Sequence, residues 1–529
     1  MSYIVQQEDI DILLDSNWTV YSRIELLDNN FKTIDQLEGI VLSDSTTVDA
    51  NSDVRRTTSL SFVVELEDRN SNAIIDNLIK NESSKKMVGI DSIFWINRFI
   101  KVYIGIKTAR SNGVKWYNLG IFLFNQLSYE YDVSTRTLSL SCSDLMANFT
   151  GTQKGAIPSP DSTKIPVDSD IREAMVSAVS QLGEYQKYLI RTDPRTVPYD
   201  LEFGSSVTVY DVIKKLLDLY PGYEVYFDVD GTFICEPMPT LKDESVILDA
   251  TTMSQLVISE GYTTTFDDVR NVIVVWGKAL EADRFAESST GNGSQYSITL
   301  TPTGDLAFAF IEDMTVGFVA NADNTENSTL KVNDLDACPL KREYVNDNYE
   351  LVQEPLPSGY LKADGMYVFK YSKNALWYQG LYQIHVVAKE VSSPPTDDQK
   401  AADKTKYGTG KIRYIVNPDS PYSVDKIGEI VSVKTDDDYD NIYTEELAFE
   451  RAEYDLWLST RLNDSITLEM VSIPWLDVNQ KIEYTSLNTG ETSEYIVNQI
   501  SDLNCSSGTM SVTAIKFYPL YPYTIDYIG

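Results

Sequence analysis

FNQLS at Phe124–Ser128, followed by TLSLS at 137–141, returns late in the chain as VNQIS at Val497–Ser501, followed by TMSVT at 509–513. Each pair predicts a long strand, a connection and an alternating return strand, because apolar and polar residues take turns along both members. Two alternating hairpins can also look alike by chance. We interpret the match as an internal duplication, because each copy closes a segment of predicted β structure.

Other predicted strands surround the first copy. The segments are rich in β-branched and aromatic residues and are separated by polar turns: SRIELLD (22–28), TSLSFVVELED (58–68), RFIKVYIGIK (98–107) and RTLSLSCSDL (136–145). A short helix is predicted near Asn72–Asn81. The start of the chain is therefore a mainly β domain.

The hydrophobic period changes after the Gly/Pro/Ser-rich connection GTQKGAIPSPDSTKIP. Asp170 is the predicted N-cap of a helix, with Glu173 at the capping-box position and an apolar stripe behind it: Ile171, Met175, Ala178, Val179 and Leu182. Thr208 begins a second predicted helix, which Pro221 and Gly222 end. A small α/β domain is expected here.

The next stretch, YEVYFDVDGTFICEP (Tyr223–Pro237), resembles the aspartate motif of haloacid-dehalogenase-type phosphatases through Asp228 and Asp230. A loop and helix follow that motif in the phosphatases, whereas here an apolar strand follows. We therefore predict a hairpin with a two-residue turn at Asp230-Gly231 and Phe227 opposite Ile234. A calcium loop is also disfavoured, because its twelfth position would be Met238 instead of an acid.

A third region opens with the apolar strand DDVRNVIVVWG (267–277). Two polar stretches, ESSTGNGSQYS (287–297) and SSPPTDDQKAADKTKYGTGK (392–411), read as flexible connections around an inserted β domain. Thr444 caps a predicted helix, and the chain ends in further predicted strands. The helix has a narrow seam suited to packing on a sheet: Ala448, Ala452, Leu456 and Ser459.

The resulting fold class is mainly β and multidomain (α+β). We predict a first tube-like β domain at 1–152, a small α/β domain at 153–262, a second tube-like β domain at 263–290 plus 410–529, and an inserted β domain at 291–409. A chain of 529 residues is long enough for several cores.

Composition disfavours most enzyme classes and nucleic-acid binding. The net charge of −35 opposes contact with phosphate backbones, although an acidic channel would let DNA pass without sticking. The one histidine, His385, lies mid-strand among apolar neighbours, and no nucleophile motif accompanies it. We expect no catalytic residues, no metal site and no cofactor.

The four cysteines, Cys142, Cys235, Cys338 and Cys505, are widely spaced and predict neither a thiolate zinc site nor a disulfide framework. The first residues show no signal-peptide pattern and no apolar run is long enough to cross a bilayer, so synthesis in the host cytoplasm and no membrane binding are expected. The 34 tyrosines favour extensive half-buried surfaces such as subunit interfaces.

In sequence the chain resembles the tail-hub (baseplate-hub) proteins of tailed bacteriophages and contractile injection systems. The resemblance rests on an ordered set of segments that covers most of the chain outside the insertion: RIELLDNNFKTIDQLEGIV, DVRRTTSLSFVV, WYNLGIFLFNQLSYEYDVSTRTLSLSCSDLMANFTG, GYEVYFDVDGTFICEP, DDVRNVIVVWG and ITLEMVSIPWLDVNQKIEYTS. These are structural patterns and not catalytic signatures.

The resemblance implies a homotrimer whose two tube-like domains per chain form a pseudo-sixfold ring around the tail channel, located at the virion tail tip. Its implied partners are the tail tube or distal tail protein, the tape-measure protein and a central spike, tip or fibre protein, with passing DNA not specifically bound. Many relatives carry a wall-degrading domain, and none is expected after FYPLYPYTIDYIG at the end of this chain.

Two other functions remain open from the sequence. A carbohydrate- or receptor-binding tip protein would use the insertion, where Trp377 and Tyr378 could stack on a sugar, although we favour them as core residues of a β module. A cell-wall hydrolase or phosphatase is the weaker alternative, because the supporting motifs are missing.

Overall fold

The fold is known from a computed structural model. It describes most of the chain: residues 3–15, 17–38, 41–63, 94–108, 113–131, 136–158, 163–197, 201–204, 206–239, 245–277, 279–280, 282–300, 308–345, 351–435, 439, 442, 444–461, 463–504, 508–518 and 524–528. The helix predicted near Asn72–Asn81 and the cysteine at Cys505 lie outside these residues.

Strands dominate the described residues. The first twelve are β1 (Trp18–Leu27), β2 (Thr33–Glu38), β3 (Val41–Asp49), β4 (Arg56–Val63), β5 (Phe99–Thr108), β6 (Lys115–Tyr131), β7 (Arg136–Asp144), β8 (Tyr188–Ile190), β9 (Tyr223–Phe227), β10 (Phe233–Pro237), β11 (Val246–Leu248) and β12 (Val257–Thr265). The next nine are β13 (Val272–Trp276), β14 (Arg284–Ala286), β15 (Thr290–Gly291), β16 (Gln295–Ile298), β17 (Thr315–Val319), β18 (Thr329–Val332), β19 (Cys338–Val345), β20 (Leu351–Pro355) and β21 (Met366–Ser372). The last nine are β22 (Ala375–Leu381), β23 (His385–Val391), β24 (Lys411–Val416), β25 (Val431–Lys434), β26 (Asn463–Val471), β27 (Lys481–Thr485), β28 (Thr492–Leu503), β29 (Thr509–Lys516) and β30 (Thr524–Ile528).

The helices are few and short. The α-helices are α1 (Gln7–Leu13), α2 (Ile171–Ser177), α3 (Val209–Leu217), α4 (Ala250–Leu256), α5 (Asp397–Tyr407), α6 (Val424–Ile427) and α7 (Glu445–Ser459). A 3₁₀ turn spans Leu145–Asn148, and a π-helical turn at Ala178–Leu182 continues α2. No helix among the described residues is long and apolar enough to span a membrane.

The chain separates into two compact units. Unit 1 comprises Met1–Asp268 and Leu462–Tyr521, and unit 2 comprises Val269–Arg461 and Pro522–Gly529. This division is coarser than the four domains predicted from the sequence, so those four domains stay a prediction.

Unit 1 is built on a large sheet with the order β12-β26-β29-β28-β3-β4-β7-β6-β5-β1-β2, and β27 and β11 extend it beside β28. One hydrophobic core runs under its whole length. Buried side chains from both ends of the sequence meet in it, including Val102, Phe122, Leu138, Leu468, Val497 and Val512. The early and late β segments therefore lie side by side in one sheet and share one hydrophobic core.

The sheet contains two sets of five strands that follow the same antiparallel order. The first set is β3-β4-β7-β6-β5, and the second set is β12-β26-β29-β28-β27. The FNQLS and VNQIS segments occupy matching strands, β6 and β28. Each has a β-bulge at the same asparagine, because the pairing shifts between Phe124 and Gln126 in β6 and between Val497 and Gln499 in β28.

A second matching bulge marks the first strand of each set. The pairing shifts between Val41 and Ser43 in β3, and between Val257 and Ser259 in β12. The sequences there also match, VLSD at 41–44 and VISE at 257–260. The sequence analysis missed this similarity, which could have been found by aligning the segment upstream of FNQLS with the one upstream of VNQIS.

The α/β part of unit 1 confirms both predicted helix starts. The Asp170 carboxylate accepts a hydrogen bond from the Glu173 backbone N–H at 2.9 Å, and Thr208 forms a reciprocal capping box with Asp211 at the start of α3. The buried face of α3 carries Val209, Val212, Ile213 and Leu216, whereas Leu217, which the apolar spacing also predicts to be buried, is half-buried. These elements lie beside a three-stranded sheet with the order β8-β10-β9.

The predicted hairpin is present, but its predicted turn and register are wrong. Phe227 pairs with Phe233, one residue away from the expected Ile234. The Asp228 carboxylate accepts from the N–H groups of Asp230 and Thr232, and Gly231 has a φ of 75°. These bonds close a three-residue loop with a left-handed glycine, a longer alternative to the two-residue turn.

Unit 2 contains a five-stranded sheet with the order β25-β13-β23-β24-β30. Ala448, Ala452 and Leu456 of α7 are buried and the helix packs on β13 and β23, as predicted. Ser459 is only half-buried, and the buried face is wider than the predicted narrow seam because it also contains Phe449 and Trp457. The Thr444 side chain caps α7 by accepting from the Leu447 N–H. The strand β23, which the sequence analysis included in the insertion, lies at the centre of this sheet.

A nine-stranded sheet with its own core forms the rest of unit 2, from β14 to β22. Neither polar stretch around it is the flexible connection that was predicted. Residues 287–297 contain β15 and the start of β16, and residues 392–411 contain α5. That helix begins with a capping box between Thr396 and Gln399 and has acidic residues in its first turn and lysines in its last turn.

Candidate functional site: the joint between the two strand sets

The two strand sets meet where β3 pairs with β28. Gln499 lies opposite Asp49, Ile500 opposite Val48 and Leu503 opposite Thr46. The ladder continues past the end of β3, where the Ala50 backbone N–H donates to the Asn498 carbonyl at 3.0 Å. Residues about 450 positions apart in sequence are thus joined by main-chain hydrogen bonds, as neighbours in one sheet are.

Side chains fix the register of this joint. The Gln499 amide donates to the Asp49 carboxylate at 3.0 Å, and the Ser45 hydroxyl donates to the Asp502 carboxylate at 3.1 Å. At the centre, Thr46, Val48 and Ile500 are all buried. A slip by one residue would expose these side chains, so the joint has one favoured register.

The bulge at Asn498 lets β28 serve two neighbours on the same side. Before the bulge, Thr492 to Ile496 pair with β27, and after it the strand pairs with β3. A bulge bends a strand and increases its local twist. The pairing at the joint therefore depends on a bulge that both strand sets possess.

Arg56, at the start of β4, ties the joint to the α/β part of unit 1. Its guanidinium donates to the Phe227 carbonyl at 2.5 Å and forms an ion pair with Asp477, while its backbone N–H donates to the Asp144 carboxylate at 2.8 Å. Only 2% of Arg56 is exposed. A planar guanidinium can reach two partners in fixed directions, which suits a position where three segments converge.

Arg55 makes a parallel set of contacts. It pairs with Glu224 of β9 and lies 3.9 Å from the centre of the Tyr226 ring. Burial acts to lower the pKa of Arg55, but the charges of Glu224 and Asp477 outweigh it, so the pKa is raised and the side chain stays charged. Glu224 also accepts from the Asn479 amide at 2.5 Å. Both arginines belong to the DVRRTTSLSFVV segment, and no local pattern in that segment predicts their partners.

The two aspartates of the phosphatase-like motif have structural contacts. Asp228 caps the loop, and the Asp230 carboxylate accepts from the Lys101 ammonium at 3.0 Å and from the Asn118 amide at 2.9 Å. Partial burial opposes ionisation of Asp230, but the bond from Lys101 outweighs it, so the pKa is lowered. The hairpin tip is therefore fastened to β5 and β6.

His385 is a buried strand residue, but it is the first residue of β23 and does not lie mid-strand as predicted. Its ring stacks on Trp276 at a centroid distance of 3.6 Å, and Nδ1 is 3.3 Å from the Thr409 hydroxyl. Burial lowers the pKa of His385 to about 4, so the ring is neutral at ordinary pH.

The two aromatic residues considered for sugar stacking have different environments. Tyr378 packs against Phe369 at 5.7 Å, with the core of the nine-stranded sheet. The Trp377 indole donates to the Ser372 carbonyl at 3.1 Å, and the Lys341 ammonium lies 5.5 Å from its ring. Tyr378 therefore has the contacts of a core residue, as favoured from the sequence.

The described part of the chain brings no three histidine, cysteine, aspartate or glutamate side chains together as a metal-binding group. Cys142 and Cys235 are buried free thiols, and Cys338 is a half-buried one. Burial raises the pKa of Cys235 to about 12, which leaves its thiol protonated.

Residues 419–521 match a family model described as a domain of unknown function, DUF5048. No curated protein matches the chain by sequence. Solved structures similar to this chain include tail proteins of prophages. One is the 43 kDa tail protein of prophage MuSo2 from Shewanella oneidensis, with 11% identity, 93% of this chain and 98% of that chain covered, and a TM-score of 0.43.

A tail protein from Neisseria meningitidis shows 7% identity over 94% of this chain and 96% of its own, with a TM-score of 0.45. The prophage tail protein gp18 from Listeria monocytogenes shows 8% identity over 93% of this chain and 94% of its own, with a TM-score of 0.40. Similarity at this level carries no function from those proteins to this chain.

Proposed function

We propose that this chain is a structural tail-hub protein at the tip of a phage tail. Three copies would form a pseudo-sixfold ring that joins the tail tube or distal tail protein to a tip or spike and leaves an acidic channel for DNA and the tape-measure protein. The observation that carries the proposal is the pair of matching five-strand sets, joined edge to edge in one sheet.

Two matching sets per chain supply the symmetry that the proposal needs. Three copies would present six similar sets around one axis, so a threefold ring could abut a sixfold tube with equivalent surfaces. The β3–β28 joint supports this reading, because it shows how one set continues into the next without a break in the sheet.

The Arg55 and Arg56 contacts support a rigid role. They hold the two strand sets and the α/β part together through ion pairs that are largely removed from solvent. Breaking such a pair leaves an uncompensated charge, so the alternative arrangements of these parts are strongly disfavoured. A ring under load in a tail requires this kind of fixed geometry.

The charge balance supports a conduit. With a net charge of −35, the chain would repel a polyanion instead of binding it, and no basic stripe contradicts this in the sequence. The proposal includes no catalytic role, and the carboxylates of Asp144, Asp477 and Glu224 are engaged by Arg55 and Arg56.

Light scattering on the full chain across a wide concentration range tests the ring. One chain has a mass of 59.7 kDa, and the proposal expects a species of three times that mass at high concentration. Labelling of the protein on intact virions tests the location, and a label found anywhere but the tail tip would overturn the proposal.

Removal of the nine-stranded sheet separates the hub from the rival adsorption protein. Leu280 donates its backbone N–H to the Tyr382 carbonyl at 2.6 Å, so residues 281–381 can be replaced by a short turn without moving the flanking strands. The hub proposal expects assembly to survive this excision. A normal tail count with loss of host adsorption would assign adsorption to the excised sheet, and a loss of tails would show that the sheet itself is part of the hub.

A further inference from the structure

The β3–β28 joint is formed by two structural parts, and each strand set contains an equivalent of both parts. One is the half of β28 that follows the bulge at Asn498, and the other is the outer strand β3. The corresponding parts are the half of β6 that follows the bulge at Asn125 and the outer strand β12. Within the described residues, β12 pairs only with β26, and no strand pairs with β6 beyond Leu123 on the side of β5.

Strand registers give the residue correspondence between β3 and β12. Thr46 pairs with Thr58, which pairs with Cys142, directly after TLSLS. Tyr262 pairs with Ile466, which pairs with Ala514, directly after TMSVT. Tyr262 therefore corresponds to Thr46, and by the same count Thr264 corresponds to Val48, Thr265 to Asp49 and Phe266 to Ala50.

Side chains at the paired β3–β28 joint are less exposed than their counterparts on β12 and β6, as expected if β12 and β6 lack a partner strand within one chain. Thr46 is 1% exposed in the filled joint, whereas Tyr262 is 52% exposed on β12. Asn125, Gln126 and Ser128 are exposed on β6. Their counterparts on β28, Asn498, Gln499 and Ser501, are only half-exposed.

The open strand β12 also carries apolar side chains in water. Ile258, at the bulge, is 61% exposed, and Phe266, directly after the strand, is 70% exposed. An outer strand with unpaired main-chain groups and exposed apolar residues is a template for pairing with another chain.

We infer that β12 of one copy pairs antiparallel with β6 of a second copy of this chain, in the register of the β3–β28 joint. Gln126 then lies opposite Thr265 and Leu127 opposite Thr264, and the Phe266 backbone N–H donates to the Asn125 carbonyl. This inference rests on the proposed function, because it specifies the contact that closes the ring.

The partner of these strands is a second copy of this chain. Every copy carries both β12 and the half of β6 after Asn125, and these two parts correspond to the two sides of the β3–β28 joint. The contact is head-to-tail, since β6 of one copy meets β12 of the next, and such contacts form a ring when the rotation between copies closes. A ring of three copies would alternate three internal β3–β28 joints with three β6–β12 joints.

Paired cysteines test the contact directly in the full-length protein. Residues directly opposite on antiparallel strands have Cβ atoms about 4.5–5.5 Å apart, close enough for cross-linking with small strand adjustments. The variant Gln126→Cys with Thr265→Cys should give dimers and trimers on a non-reducing gel after mild oxidation. The matched control, Asp49→Cys with Gln499→Cys, should cross-link within one chain and leave the mass of a monomer.

A charge placed on β12 provides the second measurement. Tyr262→Lys in the paired-cysteine background should reduce the inter-chain cross-link at least tenfold, because the charge would be buried in the joint. Leu487→Lys, at a 64% exposed position in the turn after β27, should leave the yield unchanged.

The outcomes separate this inference from the proposed function. A trimer by light scattering without the inter-chain cross-link, while the control pair does cross-link, would overturn the β6–β12 contact and leave the hub proposal standing. A monomer at all concentrations that also gives no inter-chain cross-link would overturn both. A cross-link that persists in Tyr262→Lys would also reject the inferred register.

Discussion

Each compact unit contains a buried cation with several partners, Arg56 in unit 1 and Lys389 in unit 2, and the two cations have different roles. In unit 1, Arg56 bonds to the Phe227 carbonyl and pairs with Asp477, so it links segments that are hundreds of residues apart. In unit 2, Lys389 of β23 bonds to both oxygens of Asp403, at 2.8 and 2.9 Å, and pairs with Glu429 at 2.6 Å.

The difference follows from the two side chains. A guanidinium presents a planar fork that can join partners from separate directions, whereas an ammonium is a point charge that gathers acids around itself. Arg56 therefore holds separate parts of unit 1 in register, and Lys389 fastens α5 onto one sheet. In unit 1 the buried charge joins separate segments, and in unit 2 it attaches a helix to a sheet.

Replacement of Arg56 should have the largest effect. Arg56→Met leaves Asp477 and the Phe227 carbonyl without their partner, and we expect a loss of about 3–5 kcal/mol in the free energy of unfolding. Segment-resolved hydrogen exchange should show the loss across unit 1. Arg56→Lys should recover only part of it, because one ammonium cannot reproduce both directed contacts. A loss below about 1 kcal/mol in Arg56→Met would show that the junction is not held by this side chain.

Replacement of Lys389 should have a somewhat smaller effect, confined to unit 2. Lys389→Met leaves the buried Asp403 carboxylate without its cation, although the Tyr414 hydroxyl still donates to it at 2.6 Å. We expect a loss of about 3 kcal/mol, with α5 exchanging faster than the sheet. Here Lys389→Arg should also fail, because the larger head group does not fit the same space. If unit 1 exchanged as fast as unit 2 in this variant, the comparison between the units would be wrong.

The stability of unit 2 should also depend on pH through His385. Its pKa in the folded protein is about 4, below its usual value, so the unfolded chain binds the proton more readily. Stability is therefore full above pH about 6.5 and falls as the pH drops toward 4, by up to about 3 kcal/mol. Thermal unfolding from pH 7 to pH 4 measures this. His385→Gln should flatten the part of the slope that belongs to this residue, and an unchanged slope would contradict the assignment.

Asp230 should have the smallest effect. Asp230→Ala removes the contacts with Lys101 and Asn118 at an exposed position, and we expect a loss of about 0.5–1 kcal/mol. Asp228→Ala, which removes the two loop-closing bonds, should cost at least as much and is the matched comparison. Chemical denaturation measures both. Magnesium-dependent phosphatase activity that disappears in Asp228→Asn would instead overturn the structural interpretation of the motif.

The sequence predicted elements better than partners. The helix starts at Asp170, Thr208 and Thr444 were predictable because each rests on local capping chemistry. The pairing of Val48 with Ile500 was not, because register between distant strands depends on the packing of both faces and leaves no local signal.

Two errors have equally physical causes. The register of the Tyr223 hairpin depended on whether Asp228 closes a longer loop with its side chain, which composition alone does not decide. Helix α5 was taken for a flexible connection because its sequence is polar throughout. Its order comes from contacts with distant residues, such as those of Asp403 with Lys389 and Tyr414. Of the joint, FNQLS and VNQIS revealed one strand in each set, and the partner strands emerged only from the fold.

The bulges at Asn125 and Asn498 also constrain which sequence changes the two strand sets can accept. Substitutions along β6 or β28 alter single contacts, whereas deletion of one residue between a bulge and the end of its strand would turn every following side chain to the opposite face of the sheet. The two strand sets can therefore differ at many residue positions, but insertions and deletions within these strands should be rare. The number of residues between each bulge and the end of its strand should therefore vary less among related sequences than the residues themselves.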